Sequence, residues 1–191
     1  LEAGRVVAVF NSGDAPLDVT PAPYNVRTRV HEYGGGAYFA SGSSIFFSNF
    51  ADQLLYRMDR GGSPRAITPA PEKPLDLRYA DGRLTADRKT IICVREAHTN
   101  GEVVNDLVAI KADGSAEPRS IVSGNDFYSF PRISPDGKRL AWTTWNHPRM
   151  PWDGTELWTA DLSADGSVSN ARLVARGPNE SVLQPQWSPR G

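Results

Sequence analysis

Two stretches concentrate the side chains able to do chemistry. The first is Arg27-Thr28-Arg29-Val30-His31-Glu32-Tyr33-Gly34-Gly35-Gly36, where two guanidiniums, an imidazole, a carboxylate and a phenol run into three glycines. A cluster of this kind can meet a peptide, with Arg27 or Arg29 pairing its carboxylate and Glu32 pairing its amine. It can equally be an internal His-Glu-Arg network that fixes a linker and satisfies buried backbone groups, and such networks are common. The second stretch is Asn146-His147-Pro148-Arg149-Met150-Pro151-Trp152-Asp153-Gly154-Thr155-Glu156, a long segment whose two prolines restrict its shape. Trp152 could stand out as an aromatic platform with Asp153 beside it, or Trp152 could pack onto the sheet below while Asp153 binds backbone amides in its own turn.

Other chemistries find no candidates. His31, His98 and His147 are the only histidines, and none has zinc-ligand spacing with a cysteine or with another histidine. No acidic string resembles a calcium loop. No Gly-x-Ser-x-Gly elbow occurs, so a hydrolase serine has no candidate, and the triple glycine lacks the strand-then-helix context of a nucleotide fingerprint. The expectation is a chain with no cofactor, no metal and no catalytic residue of its own. Asn179-Glu180-Ser181 fits the glycosylation sequon, a weak signal without secretion.

The elements that must position these residues are short strands. Phe130-Pro131-Arg132-Ile133-Ser134-Pro135-Asp136-Gly137-Lys138-Arg139-Leu140-Ala141-Trp142 reads as strand, tight turn, strand, because Pro135 presets the turn and Asp136-Gly137 tolerates positive φ. Thr85-Ala86-Asp87-Arg88-Lys89, followed by Thr90-Ile91-Ile92-Cys93-Val94, repeats the unit, and Trp187-Ser188-Pro189-Arg190-Gly191 begins another copy. Thr20-Pro21-Ala22-Pro23 returns as Thr68-Pro69-Ala70-Pro71. A period of about 40 to 50 residues built from short strands is the mark of propeller blades.

The runs Val6-Val7-Ala8-Val9-Phe10, Ile45-Phe46-Phe47 and Ile91-Ile92-Cys93-Val94 are apolar without alternation, as sheets covered on both faces allow. Asp-Gly pairs at 81, 113, 136, 153 and 165 read as turns between strands. These patterns predict an all-β chain, a partial β-propeller of four-stranded antiparallel blades of the TolB/WD40-like kind, with three complete blades and flanking pieces. The divisions are 1–23 (end of a blade), 24–71, 72–123 and 124–176 (one blade each), and 177–191 (start of the next).

Predicted strands are 5–10 and 17–19; then 36–40, 44–49, 54–59 and 65–67; 75–80, 90–96, 105–111 and 119–122; 129–134, 139–145, 156–162 and 171–175; and 184–188. Loops 24–35, 97–104, 146–155 and 176–183 fall on one face of the ring, where a partner or substrate is expected. The inner strands 36–40, 129–134 and 184–188 carry no Asp or Glu, which speaks against a metal-dependent lactonase of propeller type.

The 191 residues carry a formal net charge of −1 and 39% hydrophobic content. That is enough for a core, and it offers no electrostatic case for nucleic acid or for an anionic membrane. No apolar run reaches membrane-span length. The single cysteine, Cys93, lies in an apolar run and reads as a small buried hydrophobe. Nothing requires an oxidising compartment, and a cytoplasmic location is expected.

The stretch from Arg27 to Gly36, the Ser134–Lys138 repeat and Pro148-Arg149-Met150-Pro151-Trp152-Asp153-Gly154-Thr155-Glu156-Leu157-Trp158 together resemble the prolyl oligopeptidase family of serine peptidases, in its acylaminoacyl-peptidase and dipeptidyl-aminopeptidase-like bacterial branch. The Ser-Pro-Asp-Gly-Lys repeat alone is shared by many TolB-type propellers. The segments His31–Gly36 and Met150–Glu156 are far more specific. The resemblance implies an N-terminal propeller followed by an α/β-hydrolase domain with a Ser-Asp-His triad, the propeller covering the active site and limiting substrates to short peptides. No hydrolase segment lies within these residues, so no triad residue transfers. Expected partners are that hydrolase domain of the same parent chain, short peptides, and other copies of this chain through open blade faces. The competing reading is a TolB-like propeller that serves only as a protein-binding scaffold.

Overall fold

The computed structural model describes residues 4–11, 13, 15–177 and 179–190. A small hairpin, β1 (Val9–Phe10) and β2 (Leu17–Asp18), precedes three four-stranded sheets. Blade one is β3 (Tyr38–Ser41), β4 (Ser44–Ser48), β5 (Leu55–Asp59) and β6 (Arg65–Ala66). Blade two is β7 (Leu77–Leu84), β8 (Thr90–Thr99), β9 (Glu102–Lys111) and β10 (Arg119–Val122). Blade three is β11 (Phe127–Ile133), β12 (Arg139–Trp145), β13 (Glu156–Leu162) and β14 (Val168–Arg176). Every sheet runs antiparallel in chain order, and the first strands of neighbouring blades lie side by side. The chain is a partial β-propeller, and no helix occurs among the described residues.

The repeated turn has a repeated cause. In blade three Ser134 Oγ donates to Asp136 Oδ1 (2.6 Å), which also accepts from the Lys138 amide (3.1 Å), and the Arg139 amide donates to Ser134 Oγ (2.9 Å). Blade two repeats this with Thr85 Oγ1 to Asp87 Oδ1 (2.7 Å), the Lys89 amide to Asp87 (3.1 Å) and the Thr90 amide to Thr85 Oγ1 (3.1 Å). These hydroxyl donors hold the carboxyls of Asp87 and Asp136 below the usual aspartate range.

The unbroken apolar runs are explained by burial on both faces. Phe46, Leu55 and Ile67 of blade one meet Tyr79, Ile91, Cys93, Val108 and Ile110 of blade two. From the other face of that same sheet, Ile92, Val94, Leu107 and Ala109 meet Tyr128, Leu140, Trp142 and Ala160 of blade three. Strand β8 therefore alternates between two cores rather than between core and water, because successive side chains point to opposite faces. Ala8 and Val26, from the N-terminal piece, pack with Ile45, Phe47 and Met58 on the remaining face of blade one. Arginines latch the blades: Arg65 Nη1 donates to Asp113 O (2.8 Å) and, one blade on, Arg119 Nη2 donates to Asp165 O (3.0 Å).

Several expectations require correction. Asp81-Gly82 is not a turn between strands. It is a bulge inside β7, where the register shifts between Ala80 and Arg83 and Asp81 takes φ 58°. A bulge and a turn demand the same positive φ, so the dipeptide suits both. An inner strand therefore does carry a carboxylate, Asp81.

Residues 97–104 are not a loop. Strands β8 and β9 continue to an Asn100-Gly101 turn with φ 54° and 84°, the geometry of a tight hairpin. The strand expected at 5–10 shortens to Val9–Phe10. Residues 184–188 form no strand. That segment instead lies against blade three, where Trp187 Nε1 donates to Arg132 O (2.8 Å) and the Arg139 guanidinium sits 4.8 Å from the Trp187 ring centroid.

Candidate functional site

The segment leading into blade one turns sharply before it reaches β3. Glu32 N donates to Arg29 O (2.9 Å) and Gly34 N to Val30 O (2.8 Å), and the buried Val30 side chain anchors the turn in the core between blades two and three. His31 and Glu32 both take left-handed backbone, φ 55° and 63°. Consecutive non-glycine residues in that region cost roughly 1–2 kcal/mol each and persist only where the surroundings hold them. The restraint is a buried carboxylate from blade two: Glu96 Oε2 accepts from the His31 amide at 2.6 Å, and Glu96 is 3% exposed.

Glu96 is the node of a network. Its Oε1 accepts from Arg78 Nη1 (2.8 Å) and lies 2.7 Å from His98 Nε2. The same Arg78 nitrogen reaches Glu32 Oε1 (2.6 Å) and the carbonyl of Arg29 (3.1 Å). The Arg78 bond holds the Glu32 carboxyl below the usual glutamate range. Ligand atoms of Glu32, Glu96 and His98 lie within 4.8 Å of one another, but the positive charge between the two carboxylates is already supplied by Arg78. The cluster itself sets two carboxylates against one guanidinium, and the Arg29 guanidinium acts on Glu32 from beside it.

The triple glycine follows from close approach. A Cβ on Gly36 would stand 2.6 Å from Asp81 Oδ1, and one on Gly35 would stand 3.0 Å from the Ala80 Cβ. Asp81 accepts from the Gly36 amide with Oδ1 (2.7 Å) and from the Phe130 amide with Oδ2 (3.1 Å), joining the inner edges of all three blades. Phe130 repeats the bulge of Asp81 at φ 52°.

The imidazole of His31 meets Phe127 (5.3 Å between centroids), Trp145 (5.3 Å) and Tyr33 (5.8 Å). Its Nε2 is buried without a hydrogen-bond partner. It borders a largely apolar cavity of about 270 Å³ walled by Tyr33, Gly35, Phe130, Trp145 and Leu183.

Burial pushes the His31 pKa down, against the opposing pull of Glu96 and Asp81. The unfolded chain then binds more protons once pH falls below about 6.5, so the stability contributed by the neutral ring is full above that pH. It is lost as pH falls toward the folded value. Denaturant midpoints between pH 7.5 and 5 should fall more steeply for the native chain than for His31→Asn, whose side chain tolerates the same backbone. Parallel curves would show that His31 does not titrate in this way.

The remaining candidates separate. The guanidiniums of Arg27 and Arg29 lie against Phe50, at 4.4 and 4.3 Å from its centroid, and among the described residues neither comes within ion-pair distance of a carboxylate, although Arg29 helps to lower the Glu32 pKa. The amide of Arg29 donates to the buried Gln53 side chain (2.7 Å). Trp152 is 67% exposed and does not pack over the blade, because its loop is tied down by its neighbours instead. Ser181 Oγ donates to Pro151 O (2.6 Å), and Thr155 exchanges hydrogen bonds with the Val182 backbone. Asp153 Oδ2 accepts from the Met150 amide (3.0 Å) and so closes its own turn.

Arg78, Glu96 and His98 were not singled out by sequence. The available signal was Glu96 and His98 two positions apart at the end of an apolar strand, which puts both on one face.

No family model matches the chain, and neither does any curated protein. Solved structures do. The chain is similar to a puromycin-hydrolyzing peptidase of Mycobacterium tuberculosis, with 41% identity and a TM-score of 0.89 over 97% of this chain and 31% of that one. It is similar to puromycin hydrolase, with 38% identity and a TM-score of 0.91 over the whole of this chain and 32% of that one. A variant of the same hydrolase complexed with PGG gives 37% identity and a TM-score of 0.91, with the same coverage. An ancestral GH74 enzyme, 10% identical with a TM-score of 0.54, shares the fold alone. The chain spans about a third of the length of the peptidases it matches. Sheets, register and these likenesses agree: the chain is a β-propeller segment that matches the N-terminal propeller portion of puromycin-hydrolyzing peptidases of the prolyl oligopeptidase (S9) family.

Proposed function

We propose that the full-length protein is a serine peptidase acting on short peptides, and that this segment admits and positions the substrate without supplying catalytic residues. The observation that carries the reading is the match over nearly the whole chain to propeller segments of puromycin-hydrolyzing peptidases. The one thiol offers no nucleophile, since Cys93 is buried between blades one and two and burial pushes its pKa far up.

On this reading the rim of His31, Glu32 and Tyr33 faces the substrate. The negative charge of the Glu32–Glu96–Arg78 network receives the peptide amine through the exposed Glu32, and the apolar cavity beside His31 takes a side chain. A hydrolase domain elsewhere in the same protein supplies the triad, and release of an aminoacyl or acylaminoacyl residue is the expected reaction.

The full-length protein should hydrolyse aminoacyl anilides, and the 191-residue chain alone should not. Glu32→Gln should raise KM about fivefold for substrates with a free amine, and leave their N-acetylated counterparts unchanged, as expected for one charge-assisted contact at an exposed site. Turnover by the isolated chain, or inactivity of the full-length protein on every short peptide, would defeat the reading.

A further inference from the structure

We infer that the cleft between residues 146–155 and the end of β14 is a carboxylate subsite that takes the C-terminal carboxylate of a short peptide, with Arg149 as its principal charge. The inference rests on the peptide-facing reading above and extends it to the other end of the substrate. The cleft holds about 480 Å³ and is lined by Asn146, His147, Arg149, Thr155, Glu156 and Arg176.

Its two guanidiniums differ in how they are paired. Glu156 is spent locally, with Oε1 facing Arg176 Nη1 (3.4 Å) and Oε2 accepting from Trp158 Nε1 (2.9 Å). Arg149 has no carboxylate within ion-pair distance among the described residues, although the cleft edge also carries Asp126, whose Oδ2 accepts from the His147 amide (2.8 Å), and Glu180, whose carboxylate lies against Gly177. Asn146 adds a donor, because its Oδ1 already accepts from the Asp126 amide (2.7 Å) and its NH₂ is left to donate.

The wall that carries Arg149 is fixed rather than loose. Arg149 N donates to Asn146 O (3.1 Å), and Thr155 N donates to Glu180 O (3.0 Å). The arginine lies over Gly154, where an added Cβ would meet its Nη1 at 3.3 Å. The backbone is held in this way while the Arg149 side chain is exposed, and its guanidinium offers a planar fork to a carboxylate.

Position supplies the second argument. Trp145 and Thr155 line both this cleft and the apolar cavity beside His31, so the two spaces adjoin. A peptide with its side chain in the apolar cavity has a cation on one flank and the Glu32–Glu96–Arg78 network on the other. That charge pattern matches the two ends of a short zwitterionic peptide and disfavours capped or internal segments.

In the full-length protein, tripeptides with a free C-terminal carboxylate should show KM about five- to tenfold lower than their C-terminal amides, as expected for one charge-assisted contact in a half-open cleft. Arg149→Gln should erase that difference, and Arg149→Lys, which keeps the charge and loses the fork, should restore part of it. Equal KM for acid and amide, or discrimination that survives Arg149→Gln, overturns the proposal. An amidated peptide ending in aspartate that regains the whole advantage overturns the assignment to the chain terminus.

Failure of the peptidase reading is separable. If the full-length protein cleaves no peptide, the cleft is tested by binding of N-acetylglycine against N-acetylglycinamide, followed by tryptophan fluorescence. A preference for the acid that Arg149→Gln removes upholds the carboxylate site without any peptidase activity. Absence of that preference discards it.

Discussion

Replacing Glu96 with alanine is expected to destabilise the protein by about 3–5 kcal/mol, the cost of breaking a buried ion pair from one side. The thermal midpoint should fall by roughly 10 °C for a chain of this size. Three groups lose a Glu96 contact at once: the His31 amide, Arg78 Nη1, which keeps only the exposed Glu32 carboxylate and the Arg29 carbonyl, and His98 Nε2. Arg78 is the costly one, since its side chain is only 11% exposed and a guanidinium cannot shed its charge. Glu32 does not replace the loss, because it is 74% exposed and well screened by solvent. Glu96→Gln should fall between, keeping one acceptor oxygen. Glu32→Gln should cost under about 1 kcal/mol, as exposed pairs do. Urea unfolding of the three variants decides the matter. A Glu96→Ala loss no larger than that of Glu32→Gln would show that the turn at His31 is held by Val30 and the glycines alone.

This network marks where sequence reading reached its limit. The blades were legible because their cause is local: Ser134-Pro135-Asp136-Gly137 and Thr85-Ala86-Asp87-Arg88 each close a turn with their own hydroxyl and carboxylate. Ile91-Ile92-Cys93-Val94 announces two covered faces by composition. The network around Glu96 depends instead on register, because Arg78 pairs across the sheet with Glu96, and the segment of His31 arrives from another blade. Nothing in the spacing of residues 31, 78 and 96 records that meeting. Asp81-Gly82 and Asn100-Gly101 show a different limit. Asp81 alone takes positive φ in the first pair, at a bulge inside a strand, whereas both residues of the second do, closing a hairpin beyond the expected strand ends. Trp152 remains in solvent because its loop is tied by hydrogen bonds, two of them through the hydroxyls of Ser181 and Thr155, to residues 180–182, a contact that no local pattern encodes.

Asp81 carries the second large effect, and here the consequence is the joining of blades rather than the shape of a rim. One oxygen holds the Gly36 amide and the other holds the Phe130 amide, so a single side chain bonds the inner edges of blades one and three to blade two. Each is a hydrogen bond to a charged acceptor, worth about 1.5–3 kcal/mol where it is shielded, and Asp81 is 8% exposed. Asp81→Ala removes both bonds and also places a residue without a polar side chain at φ 58°, which adds roughly 1 kcal/mol of strain. The expected loss is about 4 kcal/mol. Asp81→Asn tolerates the backbone and keeps one acceptor, so it should lose about half as much, and hydrogen exchange should then quicken at one of the two amides more than at the other. Gly36→Ala attacks the same junction from the opposite side, by driving a methyl group against the carboxylate, and should approach the cost of Asp81→Ala. If the double variant Gly36→Ala with Asp81→Ala is no more stable than expected from adding the two single losses, the two residues are independent and the junction argument fails. Recovery of part of the Gly36→Ala loss in the Asp81→Ala background is the expected coupling, because the methyl group then has nothing to collide with.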